Sequence, residues 1–369
     1  MAVDFSRWRP WLFLLEPEHA HALSLRVLGG LNEMPKTRAH LWPHRASDPR
    51  LAQELWGLHF AHPVGLAAGF DKDGQALKSL ASMGFAFLEL GTVTPRPQLG
   101  NPGPRIFRYP QQRAVINRLG FPSQGGSAVA DRLAATLPLT VPLGINIGKN
   151  RETPLTAAVG DYRALIQQLG PFADYISINV SSPNTPELRR LQDPQSLRPL
   201  LQELREARQK LQRQPPLLLK IAPDLAPDEV TALAALAQEQ EPEPLLDGFI
   251  ATNTTLGRPS DWPHPDEAGG LSGAPLKLRA NGIIAQLYRA SSGRLPIIGV
   301  GGVATAEDVL DKIEAGASLV QLYTALIYEG PDLVRRITDA LPELLTARGV
   351  DHLGALVGRR AEHWATLPA

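Results

Sequence analysis

Residues 295–330 read LPIIGVGGVATAEDVLDKIEAGASLVQLYTALIYEG. Two short β-branched or Leu-rich runs, Pro296 to Val303 and Ser318 to Ala325, flank a longer stretch of helical periodicity. That alternation produces a parallel sheet. Going back toward the N-terminus, the same unit recurs at Gly248 to Thr254, Pro216 to Pro223, Tyr175 to Ser181, Pro142 to Gly148, Phe85 to Val93 and Pro63 to Gly69. Eight runs point to a closed (β/α)8 TIM barrel, with an open doubly wound sheet as the alternative. Most runs are apolar on both alternating faces, as expected of strands covered by helices outside and packed side chains inside. The insertion Pro95 to Leu137 is too long for an ordinary strand-to-helix loop and is expected to build the site. Gln238 to Pro244 reads as a solvated loop, and the stretch from Pro331 onward reads as helices.

The 369 residues, 43% of them apolar, suffice for one large barrel. Lys plus Arg and Asp plus Glu both total 37, so no broad positive field exists to collect nucleic acid. The chain has no cysteine. Disulfides, thiolate metal sites, iron–sulfur clusters and thiol catalysis are excluded, and no metal is called for. The apolar run Trp11 to Leu15 is too short for a signal peptide or a membrane span, so a cytoplasmic start is expected.

Active sites of such barrels lie at the C-terminal strand ends, and here nearly every run ends on polar residues. Ala68-Gly69-Phe70-Asp71-Lys72 follows the first run, Thr92 closes the second, and Asn146 sits in the third. Asn179 precedes Ser181-Ser182-Pro183-Asn184-Thr185 in the fourth, Lys220 is in the fifth, and Thr252-Asn253-Thr254 ends the sixth. An unpaired lysine or amide in an apolar layer costs several kcal/mol. These groups either pair across the mouth or face a common ligand. Gly299 to Gly302 after the seventh run and Tyr323-Thr324 in the eighth suit a phosphate-bearing cofactor, or else simple tight turns. Gly269-Gly270-Leu271-Ser272-Gly273 could close over the same group.

Four segments carry a resemblance: Ala67 to Gly74 (AAGFDKDG), Gly91 to Pro95 (GTVTP), Asn179 to Thr185 (NVSSPNT) and Gly269 to Gly273 (GGLSG). In this order they resemble the dihydroorotate dehydrogenases, from about residue 17 to 330. The resemblance implies an FMN-binding barrel that oxidises dihydroorotate to orotate in de novo pyrimidine (UMP) synthesis, with a hydride leaving C6 for flavin N5 and a proton leaving C5. The base is Cys in the soluble classes and Ser in the quinone class, and Ser182 holds that position here. By the same resemblance Lys72, Asn117, Arg118, Leu119, Gly120, Phe121, Asn179, Asn184, Asn253 and Thr254 form the pyrimidine shell. Ala68, Gly69, Phe70, Asp71, Lys72, Thr92, Asn146, Asn179, Lys220, Thr252, Gly273, Gly302, Tyr323 and Thr324 form the FMN shell, with Lys220 offsetting charge on the reduced flavin. Phe70 stands where many relatives carry Leu, at no expected functional cost. A serine needs help to act as a base, and none of the nine histidines lies in these motifs. The expected outlet for its proton runs through Thr185 and water under a closing loop, with Phe121 screening the path. Glu89 has no partner that the sequence names.

Three of six tryptophans, Trp8, Trp11 and Trp42, fall in the first 42 residues. Phe5, Trp8, Leu12 and Leu15 are at helical spacing, as are Ala20, Leu23, Val27 and Leu31, predicting two amphipathic helices parted near Pro17. Such stripes either pack on the barrel or lie in a membrane interface. The resemblance favours the interface. It implies a quinone tunnel in which His21, Arg108 and Tyr323 contact the quinone head of a peripheral membrane protein. The expected cytoplasmic start puts it on the cytoplasmic face of the cell membrane, and the zero net charge and sheltered barrel are compatible with the expected monomer. Residues 1–45 then form the membrane and quinone access segment, and residues 46–369 the barrel. Competing readings are a tRNA dihydrouridine synthase or 2-hydroxy-acid oxidase, which lack their RNA face, Cys or His here, and a membrane-docked phosphate-binding protein without turnover.

Overall fold

The computed structural model describes residues 5–239 and 244–367. Most of the expected Gln238 to Pro244 loop, and residues 1–4 of the N-terminal segment, lie outside them. Eight parallel strands close into a barrel: β1 (Val64–Leu66), β2 (Leu88–Val93), β3 (Leu143–Ile147), β4 (Tyr175–Asn179), β5 (Leu217–Ile221), β6 (Gly248–Ala251), β7 (Ile297–Val300) and β8 (Leu319–Leu322). Each falls within one of the eight runs read from sequence. Every strand pairs with its sequence neighbours, and β8 returns to β1 through Val320 opposite Val64. The strands are buried on both faces because helices cover the outside, which is why the runs show no alternation.

The N-terminal end of the barrel is plugged. An antiparallel hairpin, Gln53–Leu55 with Leu58–Phe60, brings Trp56 and Phe60 beneath the strands. Phe60 meets Phe87 at 5.3 Å between ring centroids, and Phe87 meets Tyr175 at 6.4 Å. Gly144 makes room for this packing, since a Cβ there would stand 2.0 Å from the Tyr175 ring.

The opposite end is roofed by the two insertions. Residues after β2 form the strands Ile106–Tyr109 and Ala114–Asn117, and residues after β6 add Gly270–Gly273 antiparallel to the second. Over this roof lie three helices, α1 (Phe5–Leu14), α2 (Pro17–Leu31) and α3 (Pro35–Leu41). The break expected near Pro17 is present: Glu16 caps α2 by accepting from the N–H groups of Glu18 and His19, with Pro17 in the first turn. The sequence reading did not foresee α3.

Candidate active site

The roof and α1–α2 enclose one continuous cavity of about 610 Å³. Its walls run from Leu12, His21 and Val27 on the helices to Ser182, Lys220 and Asn253 at the strand ends. A volume of this size is typical of a small-molecule site.

Arginines of the first insertion fasten the helices. Arg105 binds Glu18 of α2 in a two-pronged ion pair, with Nε 3.0 and 2.9 Å from the two carboxylate oxygens. That guanidinium holds the Glu18 carboxyl below its usual range. Arg108 points its guanidinium at the end of α1, donating to the carbonyls of Leu12, Phe13 and Leu15, and lies 4.5 Å from the Phe13 ring centroid. A cation at a helix C-terminus is electrostatically favoured. Arg108 therefore seals α1 to the roof and also lines the cavity. Arg9 of α1 reaches the Tyr328 carbonyl at 3.0 Å, and Ser79 donates to the Leu28 carbonyl of α2 at 2.7 Å. The expected α1 stripe splits. Phe5 and Leu12 face the cavity, whereas Trp8 is 61% exposed and Leu15 40%; Trp11 and Leu14, outside that stripe, are 68% and 78% exposed.

His21 stands at the junction of the helices and the barrel, edge-on to Phe70 at 5.2 Å, and Phe70 stands edge-on to Tyr323 at 5.9 Å. Phe70 is thus the middle ring of a row linking two residues that the sequence reading paired only by function. Desolvation pushes the His21 imidazole down to about 3, helped by the Lys72 charge, so the ring is neutral at physiological pH. Desolvation also brings the Lys72 ammonium down to about 8, against the pull of Asp73 and Asp71, and its Nζ donates to the Gly69 carbonyl at 2.7 Å. Burial raises the Tyr323 phenol to about 12.

Deeper in, the polar side chains of different strands interlock. Thr92 donates to Asn146 Oδ1 at 2.5 Å, and Asn179 Nδ2 donates to Thr92 Oγ1 at 2.9 Å and to Asn146 Oδ1 at 3.1 Å. Asn253 Nδ2 donates to Ser181 Oγ at 3.0 Å. These groups pair with one another across the mouth, and several of them also line the cavity. On the loop after β4, Ser182 is buried and its Oγ accepts the Asn184 N–H at 3.2 Å. Asn184 Nδ2 reaches across to Asn117 Oδ1 of the roof at 3.2 Å. Leu119, Gly120 and Phe121 line the cavity, and the Phe121 carbonyl is held by Gln98 Nε2 at 2.8 Å. Thr252 and Thr254 close the wall after β6.

Three of the expected site residues do not line the cavity: Asn146 lies beneath it within the barrel, and two side chains face elsewhere. The Arg118 guanidinium turns outward to Glu267 and the Ala268 carbonyl, tying the two insertions together. The Asp71 carboxylate accepts from the N–H groups of Gln75 at 2.8 Å and Ala76 at 2.7 Å, bracing the loop that carries Ala68 and Gly69.

A glycine-lined cradle closes the far wall. Gly301 and Gly302 follow β7, Gly273 ends the inserted strand, and Thr324 donates to Ser272 at 2.8 Å. Gly302 has φ +73°, and a Cβ there would stand 2.5 Å from Lys277 Cβ. Only bare backbone fits at this point, the kind of surface that lets N–H groups approach an anion. Lys277 itself is held by Asp308 at 2.5 Å and Asp311 at 2.9 Å.

The family profile described as dihydroorotate dehydrogenase matches residues 50–345. The sequence is 55% identical over 365 residues to a dihydroorotate dehydrogenase (quinone) of Acidithiobacillus ferrooxidans, covering 97% of this chain and 100% of that protein. It is 48% identical over 360 residues to a dihydroorotate dehydrogenase (quinone) of Myxococcus xanthus, covering 96% and 97%. Among solved structures it is similar to DHODH from Eimeria tenella in complex with ferulenol, with a TM-score of 0.85, 38% identity and coverage of 94% and 96%.

Proposed function

Since the chain belongs to the dihydroorotate dehydrogenase family, in its quinone-linked class, we propose that this cavity divides into a pyrimidine site at the strand ends, an FMN site against the glycine cradle and a quinone passage under α1 and α2. The reaction of the class is oxidation of dihydroorotate, with a quinone as final acceptor, in pyrimidine biosynthesis. The continuity of the cavity from Ser182 to α1 and α2 carries the proposal, because electrons taken from a polar substrate must leave toward an apolar acceptor.

The residues present fit FMN. Gly273, Gly301, Gly302 and Thr324 would hold the phosphate, while Lys220 offers a donor where the ring would lie and Thr92 lines the wall beside it. When bound, FMN supplies the two-electron acceptor that takes the C6 hydride of dihydroorotate and later passes electrons to the quinone. Lys220 brings a positive charge to the side where negative charge develops. The amides of Asn117, Asn184 and Asn253 line the wall where the pyrimidine edge would lie, and Asn179, with its NH2 spent on Thr92 and Asn146, can offer that edge only its oxygen.

Ser182 is the proposed base for the C5 proton. The Asn184 N–H occupies one lone pair and leaves the hydroxyl proton free to turn away from the substrate. Thr185 Oγ1 is buried with no hydrogen-bond partner among the described residues, so it is available to receive that proton and hand it to water. In this reading residues 1–45 are the access segment and residues 46–369 the catalytic barrel of a monomer. The exposed Trp8, Trp11 and Leu14 rest on the cytoplasmic face of the cell membrane. No helix among the described residues is long and apolar enough to cross a membrane.

The test is a visible spectrum of the purified protein before and after dihydroorotate is added without oxygen. Flavin bands that bleach are expected, and bands that stay oxidised would overturn the substrate assignment. In Ser182→Ala the bleaching rate should fall by about 10² to 10⁴, the usual contribution of a general base. A rate equal to the parent's would remove Ser182 from that role.

A further inference from the structure

Glu89 is the second residue of β2, fully buried, and no step above uses it. Its carboxylate gathers donors from four other strands: Asn146 Nδ2 of β3 at 2.8 Å, Tyr175 OH of β4 at 3.1 Å, Lys220 Nζ of β5 at 3.5 Å and Gln321 Nε2 of β8 at 2.7 Å. Lys220 and Gln321 belong to the cavity wall.

A carboxylate accepts hydrogen bonds and does not donate them. Asn146 must therefore turn its NH2 toward Glu89, which leaves its Oδ1 facing the mouth, where it receives Thr92 and Asn179. Asn179 then has its NH2 inward and its Oδ1 outward, where Ser181 Oγ donates at 3.1 Å and Asn253 Nδ2 at 3.3 Å. Each amide inherits its orientation from the one beneath it, and the series starts at a group that cannot be reversed.

We infer that Glu89 is a positioning residue that sets the hydrogen-bond polarity of the pyrimidine site through Asn146 and Asn179, and anchors the Lys220 charge beneath the flavin site. This rests on the function proposed above. Glu89→Gln keeps the shape, removes one negative charge and offers an NH2 where only oxygens stood. Asn146 and the amides above it are then free to reverse.

The experiment compares Glu89→Gln with the parent as holoproteins, measuring orotate affinity from the flavin spectrum and the flavin midpoint potential. Expected are about tenfold weaker orotate binding, the scale of a mispaired buried polar group, and a more positive potential, because a negative charge has left the vicinity of the ring. Tyr175→Phe removes a donor from the same carboxylate on the side away from the mouth. It should lower the melting temperature and keep orotate affinity within about twofold, the scale of a few tenths of a kcal/mol.

Unchanged orotate affinity in Glu89→Gln overturns the inference. So does weakened binding at the parent's potential, or an equal loss in Tyr175→Phe, since either outcome makes Glu89 part of the packing alone. If Glu89→Gln does not accumulate with flavin, Asn146→Leu cuts the series one link higher, and retained orotate affinity there overturns the inference as well. If the parent itself fails to bind orotate, the proposed substrate is at fault, and the midpoint potential alone decides the role of Glu89.

Discussion

The two ends of the barrel are built from the same eight strands and could hardly differ more. At the N-terminal end the side chains are Phe60, Phe87, Ile298 and Leu319, closed by a short hairpin, and none of these four lines the cavity described above. At the C-terminal end they are Thr92, Asn179, Lys220 and Asn253, arranged around open space. One end holds the strands together through packing, and the other uses the rigidity so gained to keep amides and a serine in register. Substitutions at the floor should therefore change stability without changing chemistry, and those at the mouth the reverse.

The largest expected effect tests the outer half of the mouth. Removing residues 1–15 deletes α1, with Leu12 and Phe13, while α2 keeps its anchors at Ser79 and Arg105. Reoxidation by a long-chain quinone should slow by about 10²-fold, the scale of lost positioning, while flavin reduction by dihydroorotate stays within about twofold on the argument that its site is untouched. Unchanged quinone turnover in stopped-flow mixing would sink the proposed passage. At the floor, Phe87→Ala should lower the unfolding free energy by about 3–5 kcal/mol in urea titrations, the range for a buried aromatic. A large loss of orotate affinity in the protein that remains folded would break the separation between the two ends.

His62, at the floor just before β1, gives a smaller effect that depends on pH. It is buried with Nε2 2.9 Å from the Gly84 carbonyl and Nδ1 accepting the Val64 N–H at 3.2 Å, and burial pushes it down to about 4. Between the ordinary histidine value and about 4, the unfolded chain binds a proton that the folded chain refuses. Stability contributed here is complete above about pH 7 and declines as pH falls toward 4, by about 2 kcal/mol at pH 5. His62→Gln should flatten that part of the profile in denaturant melts at pH 7.5 and 5. The smallest expected effect is that of Phe70→Leu, costing under about 1.5 kcal/mol while opening the ring row between His21 and Tyr323. A quinone KM raised with kcat for flavin reduction intact would place Phe70 in the passage, and an unchanged KM would return it to packing.

The contrast also explains what the sequence could disclose. Strand positions were legible because burial on both faces leaves compact apolar runs, and each of the eight strands falls inside one. The polar strand ends were legible because a lysine or asparagine closing an apolar run stands out. Pairings between distant segments were not. The roof joins Ala114–Asn117 to Gly270–Gly273 across more than 150 residues, and neither segment signals the other. Glu89 was visible only as an anomaly, since its donors lie on β3, β4, β5 and β8 and meet only once the barrel closes. Arg108 was named through the resemblance as a quinone contact, while its grip on the α1 carbonyls depends on where the first insertion folds back.

The fastening of α1 to the far end of the chain has a consequence for biosynthesis. Arg9 and Tyr328 are 319 positions apart, and ribosomes add about 5–20 residues per second. For roughly 16 to 64 seconds at that speed, α1 exists without its contact to the C-terminal part of the chain. A lipid surface or a chaperone available in that interval would shield Trp8 and Trp11 well before the enzyme has a site to serve.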